Sequence, residues 1–196
     1  MKPIFRKRVF TLGQFLNMLF QAIIRLPILV AALIKPKTSR QLREQVMLAC
    51  TSVNDCRYCA WAHTHLALKN GVDIEAMNAL LASSDNPLGG EQEGIAILFA
   101  QHFAEFKGRP SGDAVSRLQS VYSKAQVKEI YAYLYAIYFA NLSGNTFDAL
   151  LARLRGQKVE NSYIFTEVIS SALSWPILVF IMWRSKNDRR IGLGSL

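Results

Sequence analysis

Cysteine is scarce in this sequence of 196 residues, and patterns typical of β-strands are almost absent. The three cysteines, Cys50, Cys56 and Cys59, lie within ten residues of one another, whereas a secreted disulfide scaffold uses more cysteines scattered along the chain. The clustering argues against such a scaffold and predicts a chemical site in a reducing compartment, for which we expect the cytoplasm. No glycine-rich phosphate-binding loop is present, and we expect no cofactor.

Acidic residues are missing from the first 43 positions, where nine of the 23 lysines and arginines lie. From Glu44 onward the other 14 basic residues are matched by 14 acids, so the net charge of +9 belongs to the N-terminal segment. A nucleic-acid-binding protein carries its basic residues on the folded face that meets the phosphates. We therefore predict no nucleic-acid partner, and the charge indicates a role in assembly or in membrane contact.

Two long apolar runs lie near the ends of the chain, at residues 9–34 and 168–183. Polar residues recur about every four positions in the first run, which predicts an amphipathic helix rather than a cleaved signal peptide. The second run has sixteen residues, fewer than the ~20 that cross a bilayer. We expect the two helices to be buried against each other or in an oligomer interface. Contact with a membrane surface is the alternative.

Helix-capping residues predict an all-α fold. Asn54 and Asp55 are placed to cap a helix that begins at Cys56. Ser123 and Gln126 form a capping box for a helix that ends near Asn141. A separate helix is predicted over residues 146–155, because Ser143 and Gly144 resemble a turn.

The stretch from Cys56 to His63 carries the most reactive side chains. Residues three and four apart lie on one helix face, so Cys56, Cys59 and His63 share a stripe at the start of a helix. A free thiol with a pKa of about 8.5 is only a few per cent ionised at neutral pH and needs activation. The helix N-terminus favours a thiolate at Cys56, whereas the nearby base His63 favours Cys59. Glu44, on the preceding helix, is the best candidate to orient the imidazole.

Glu44, Cys56, Cys59 and His63 resemble the motif of the alkylhydroperoxidase D branch of the carboxymuconolactone decarboxylase family. That motif is Glu, eleven residues, Cys, two residues, Cys, three residues, His, and every gap is kept here. The resemblance covers residues 40–150. It departs at Tyr58, where the best-known hydroperoxidase members carry His. We expect Tyr58 to donate a hydrogen bond to a cysteine sulfur or to a peroxide oxygen.

The resemblance implies an all-helical subunit, with the cysteine pair at a helix N-terminus, that assembles into homotrimers or hexamers. The implied activity is thiol-dependent reduction of organic or hydrogen peroxides in antioxidant defence. A Cys56–Cys59 disulfide would form, and Glu44 and His63 would relay protons. Cys59 would meet the peroxide, and an exposed Cys56 would exchange with the reductant, a dithiol or a lipoylated protein.

The resemblance also divides the chain into three parts. Residues 1–38 form a basic, apolar helical segment, and residues 39–156 form the alkylhydroperoxidase D-like catalytic core. Residues 157–196 form an apolar helix and a basic tail.

Other interpretations of the same residues remain. A zinc site would need His63 and His65 together, but they point to different sides of one helix, and we expect no metal. Cys50 is predicted to be a small core residue. A non-redox lactone decarboxylase of the same superfamily and a membrane-associated helical interaction protein are the alternative functions.

Overall fold

The computed structural model describes residues 4–73, 75, 78, 91–160 and 162–186. Within these ranges the chain forms seven helices and two strands of two residues each, which confirms the predicted all-α class. The strands β1 (Ile4–Phe5) and β2 (Lys158–Val159) pair in parallel. The helices are α1 (Leu12–Ile34), α2 (Arg40–Asn54), α3 (Arg57–Lys69), α4 (Glu91–Glu105), α5 (Gly112–Val121), α6 (Lys124–Leu154) and α7 (Ile164–Lys186).

The 31-residue helix α6 is the central element, and α1, α2 and α7 pack against it. The capping box of Ser123 and Gln126 is present, as predicted. The predicted break between Asn141 and residue 146 is wrong, because α6 is continuous there. Its buried polar side chains bond to neighbouring elements instead of forming a turn: Asn145 Nδ2 donates to the Asn54 carbonyl (2.7 Å), and Thr146 Oγ1 accepts from the Phe10 amide (3.1 Å).

Asp55 produces the reversal between α2 and α3. It ends α2 in the left-handed conformation, with φ of 53°, which Asp adopts more readily than most residues. The two helices then run back along each other, as predicted. The predicted cap by Asn54 and Asp55 is wrong, because Asp55 ends α2 and the N-cap of α3 is Cys56, which forms no side-chain capping hydrogen bond. This reversal brings the middle of α2 beside the first turns of α3.

A buried carboxylate, that of Glu129 on α6, fixes the beginning of α2. It accepts hydrogen bonds from the amides of Lys37 and Thr38 at 2.8–3.0 Å and from Thr38 Oγ1 at 3.1 Å. Ser39 then caps α2 by accepting from the Leu42 amide at 2.9 Å. The orientation of α2 on α6 is therefore held by polar contacts as well as by apolar packing.

The terminal helices α1 and α7 each pack mainly on α6 and touch each other little. A bidentate ion pair joins α7 to α6: Arg153 donates from Nε and Nη2 to the fully buried carboxylate of Glu167, at 2.9 and 2.8 Å. The expectation that the two apolar helices bury each other is wrong, because much of their apolar surface is exposed. Both helices, Leu12–Ile34 and Ile164–Trp183, are long and apolar enough to cross a membrane. The division of the chain near residues 38 and 156 stays a prediction.

Candidate active site

Cys56 and Cys59 lie at the start of α3, directly after the Asp55 reversal. Cys56 is the N-cap residue, and Cys59 is in the first turn of α3. Both thiols are reduced, and their sulfur atoms are 3.0 Å apart. A disulfide requires about 2.05 Å, so closure asks for a movement of about 1 Å. The fold thus places the two sulfur atoms within about 1 Å of disulfide distance.

Both cysteines are buried, with 1% of Cys56 and 6% of Cys59 exposed. The expectation that Cys56 is exposed is therefore wrong. The reason is that α3 packs against α6 and α7, and Gly144 of α6 lies next to the sulfur atom of Cys56. A Cβ atom on Gly144 would come within 2.7 Å of Cys56 Sγ and 3.8 Å of Leu178 Cδ2. The missing side chain of Gly144 leaves the space that Cys56 Sγ occupies.

The thiol of Cys59 holds its proton tightly. The hydrogen bond to Cys56 and burial both raise the pKa of Cys59 well above its ordinary value. Cys59 is therefore the thiol that keeps its proton. The N-terminus of α3, with its unpaired amide groups, favours negative charge at Cys56.

Glu44 and His63 meet across the α2–α3 pair, as the sequence predicted. His63 Nδ1 is 2.8 Å from Glu44 Oε2, and the second carboxylate oxygen of Glu44 accepts from Arg43 Nε at 2.8 Å. Glu44 is 1% exposed, whereas the side chain of His63 is 18% exposed. The carboxylate is thus fixed inside the protein, and the imidazole reaches toward its surface.

The carboxylate of Glu44 is held in its ionised form. Burial alone would raise its pKa, but the hydrogen bonds and positive charges of His63 and Arg43 outweigh burial and lower the pKa. An ionised carboxylate accepts hydrogen bonds only, so the proton between the two groups sits on His63 Nδ1. In the neutral tautomer that this contact favours, Nε2 carries the lone pair and is the ring nitrogen left to exchange a proton.

Tyr58 has a different partner from the predicted one. Its hydroxyl donates to Asp148 Oδ1 at 2.6 Å and accepts from Arg57 Nη2 at 2.8 Å. The expectation of a hydrogen bond to a cysteine sulfur is therefore wrong. Asp148 also pairs with Arg57 Nη2 at 2.6 Å, so one carboxylate of α6 binds two consecutive residues of α3. This cluster holds the cysteine-bearing turn against α6.

Cys50 is buried apart from the oxidisable pair. It is fully buried, and its sulfur receives weak hydrogen bonds from Asn54 Nδ2 (3.7 Å) and Asn141 Nδ2 (3.9 Å). Burial raises its pKa, so the thiol stays protonated. This agrees with its prediction as a small core residue. In the ranges that the structure describes, no group of three or more His, Cys, Asp and Glu side chains is arranged to hold a metal ion.

Four residues of the site were not found by sequence reasoning: Arg43, Arg57, Asp148 and Gly144. Arg43 was counted only as part of the basic segment, although it lies next to Glu44. Asp148 is an acid within an apolar stretch of α6, and that placement is a signal for a buried ion pair. Gly144 was interpreted as part of a turn. Only the folded chain shows that it faces Cys56.

Comparison with known proteins adds one finding. Residues 21–102 match the model described as Carboxymuconolactone decarboxylase family. The matched segment contains Glu44, Cys56, Cys59 and His63, whereas Asp148 and Leu178 lie beyond it. No curated protein and no solved structure matches the chain.

Proposed function

We propose, because residues 21–102 match the carboxymuconolactone decarboxylase family model, that this chain is a thiol-dependent peroxidase or disulfide reductase. The family includes both peroxidases and lactone decarboxylases, so the match alone does not choose between them. The observation that carries the proposal is the pair of reduced sulfur atoms 3.0 Å apart, on the same short helix as an oriented histidine. Decarboxylation of a lactone acid has no evident use for two adjacent thiols.

The reaction would proceed in three balanced steps. A cysteine thiolate attacks the terminal oxygen of a hydroperoxide, the O–O bond breaks, and the departing alkoxide takes a proton to become an alcohol. The sulfenic acid left on that cysteine is attacked by the second thiol, so that an S–S bond forms and water leaves. An external dithiol then returns two electrons and two protons and restores both thiols.

Cys56 is the better candidate for the attacking thiolate. The raised pKa of Cys59 keeps the proton on that thiol, and Cys56 sits where the N-terminus of α3 favours an anion. This assignment reverses the roles that the family resemblance implied. Cys59, 3.0 Å away, would then resolve the sulfenic acid.

His63 and Glu44 would supply and accept the protons of these steps. Glu44 keeps one proton on Nδ1, so Nε2 is the atom that accepts a proton from a thiol, directly or through water, and later gives it to the leaving oxygen. Because its side chain is partly exposed, His63 can also exchange protons with solvent. Arg43 supports the relay by holding Glu44 ionised.

The remaining parts of the proposal rest on the sequence resemblance. They are a dithiol or a lipoylated protein as reductant, assembly into homotrimers or hexamers, and a role in antioxidant defence. The cytoplasm is proposed as the compartment, because clustered reduced cysteines fit a reducing environment.

The test is direct oxidation of the reduced full-length protein. Hydrogen peroxide or cumene hydroperoxide is added, and mass spectrometry after alkylation shows which thiols are blocked. We expect one Cys56–Cys59 disulfide per chain and one peroxide consumed per disulfide, with cumene hydroperoxide giving one cumyl alcohol and one water, and hydrogen peroxide giving two waters. Turnover should follow when dihydrolipoamide is present.

Cys50→Ser is the matched control, because Cys50 is a buried cysteine outside the pair. It should oxidise like the wild type, whereas Cys56→Ser should lose turnover. Cys59→Ser should stop at a sulfenic acid on Cys56. Free thiols after peroxide treatment, or undiminished peroxide turnover in the Cys56→Ser variant, would contradict the proposal.

A further inference from the structure

Helix α7 has an inverted distribution of polarity. Its buried residues include the polar side chains of Thr166, Glu167, Ser170 and Ser171, which are turned into the protein. Every exposed residue from Ile164 to Trp183 is apolar. A helix on the surface of a protein in water has the opposite arrangement, with its apolar stripe facing the core. The outer face of α7 is therefore built for contact with something other than water.

Helix α1 shows the same inversion. Its single charged residue, Arg25, is turned inward, with its guanidinium carbon 4.2 Å from the centre of the Tyr135 ring and an Nη1 hydrogen bond to the Gln21 carbonyl at 3.2 Å. From Met18 to Ile34 every exposed residue is apolar. The exposed large side chains on this face are Phe20, Ile23, Ile24, Leu26, Val30, Leu33 and Ile34.

Basic residues flank these apolar faces. Lys35, Lys37 and Arg40 follow the end of α1, and α7 ends with Arg184 and Lys186. The first 43 residues contain no acid that would neutralise them. An apolar helix bounded by lysine and arginine matches a bilayer whose headgroups are anionic. A second copy of this chain would instead bring two sets of like charges together.

We propose that the outer faces of α1 and α7 form one lipid-binding surface that docks the protein on an anionic bilayer. The apolar side chains enter the acyl region, and the flanking basic residues contact anionic headgroups. The proposal does not depend on the redox chemistry of the cysteines.

The test is flotation of the full-length protein with lipid vesicles. Protein purified in mild detergent is diluted into vesicles of phosphatidylcholine and phosphatidylglycerol in equal parts, and separately into vesicles of phosphatidylcholine alone. We expect the protein to float with the mixed vesicles and to bind the neutral vesicles more weakly. Replacing both Lys35 and Lys37 with Gln should weaken binding to the mixed vesicles by about fivefold per lysine.

Ile177→Glu tests the apolar contact, because Ile177 is 66% exposed and its replacement disturbs no core packing. We expect it to lower the bound fraction about tenfold. Leu66→Glu, at an exposed apolar residue of α3, is the matched control and should float like the wild type. Circular dichroism verifies the fold of each variant.

Two results would overturn the proposal. One is a wild-type protein that stays at the bottom of the gradient with both kinds of vesicle. The other is an oligomer, seen by light scattering without vesicles, that Ile177→Glu converts to monomers while flotation is unchanged. That second result would assign the apolar faces to a second copy of the chain.

Discussion

Replacing Gly144 with Ala tests the close packing of α6 on the cysteine pair. In an open helical site this substitution stabilises a protein by about 1 kcal/mol, because Gly is a poor helix former. Here the new Cβ would lie 2.7 Å from Cys56 Sγ and 3.1 Å from Tyr58 Cδ2, both shorter than ordinary van der Waals contact. Overpacking of this kind costs about 1–3 kcal/mol. The two effects combine to a net destabilisation of about 1 kcal/mol.

The same methyl group should also slow disulfide formation. Rotation of Cys56 Sγ about χ1 would relieve the 2.7 Å contact and would disturb the 3.0 Å approach to Cys59 Sγ. Holding a side chain about 30° from its rotamer costs about 0.5–1.5 kcal/mol. If this cost is added to the barrier for closure, the disulfide forms up to about tenfold more slowly.

Urea unfolding of the reduced protein, followed by circular dichroism, measures the first effect. The rate of disulfide formation with peroxide, followed by quenched alkylation and mass spectrometry, measures the second. Gly112→Ala is the control, because a Cβ there meets no atom within 4 Å. It should leave the disulfide rate unchanged and should not destabilise the protein. If Gly144→Ala matches this control in both stability and rate, the packing of Gly144 on Cys56 is refuted.

Three further predictions follow from the polar contacts. Tyr58→Phe removes the hydrogen bond to Asp148 and should lower the free energy of unfolding by about 1–3 kcal/mol while disulfide formation stays within about twofold. A large decrease in the rate of disulfide formation with an unchanged free energy of unfolding would instead indicate that Tyr58 takes part in the reaction. Because the pKa of Glu44 is lowered in the folded state, its ionised form stabilises the protein above the ordinary value of 4.5, and that stability is lost as pH falls through the lowered pKa. The difference in urea stability between wild type and Glu44→Gln should therefore shrink below pH 4.5, and a constant difference down to full protonation would argue against the ionised pair. Glu167→Gln weakens the pair with Arg153 and should destabilise the protein by about 1.5–3 kcal/mol and speed alkylation of Cys56, whereas Glu160→Gln, in the exposed pair with Lys158, should change little. Equal alkylation rates in the two variants would show that the ion pair does not hold α7 over Cys56.

The contact between Glu44 and His63 was predictable because it depends on local signals. Asp55 tolerates the left-handed conformation that ends α2, and the two helices are adjacent in the chain. Once they run antiparallel, side chains in the middle of α2 come beside side chains of α3, and Glu44 meets His63. The helix N-terminus at Cys56 was predictable for the same reason.

Contacts between distant parts of the chain were not predictable in this way. Tyr58 and Asp148 are 90 residues apart, and no local pattern states that the hydroxyl turns toward α6 instead of a sulfur. Ser143 and Gly144 are typical of a turn, but α6 stays helical at these residues. The absence of a Cβ atom on Gly144 leaves room for Cys56 Sγ. The burial of Cys56 depends on packing against α6, where Gly144 lies next to its sulfur atom, so exposure could not be inferred from the motif.

The burial of Cys56 where α3 packs against α6 and α7 would make the two halves of the proposed redox cycle unequal. A small oxidant needs only a transient gap to reach a sulfur atom, whereas the thiol of a protein reductant needs a whole helix to move aside. The apparent affinity for such a reductant is lowered by the fraction of molecules in which α7 is open. Oxidation of the cysteines would then depend on diffusion of the small oxidant through the closed form. Reduction of the disulfide by a protein would depend on the equilibrium between the closed and open positions of α7. Any ligand that shifts the position of α7 would set how long the chain stays oxidised.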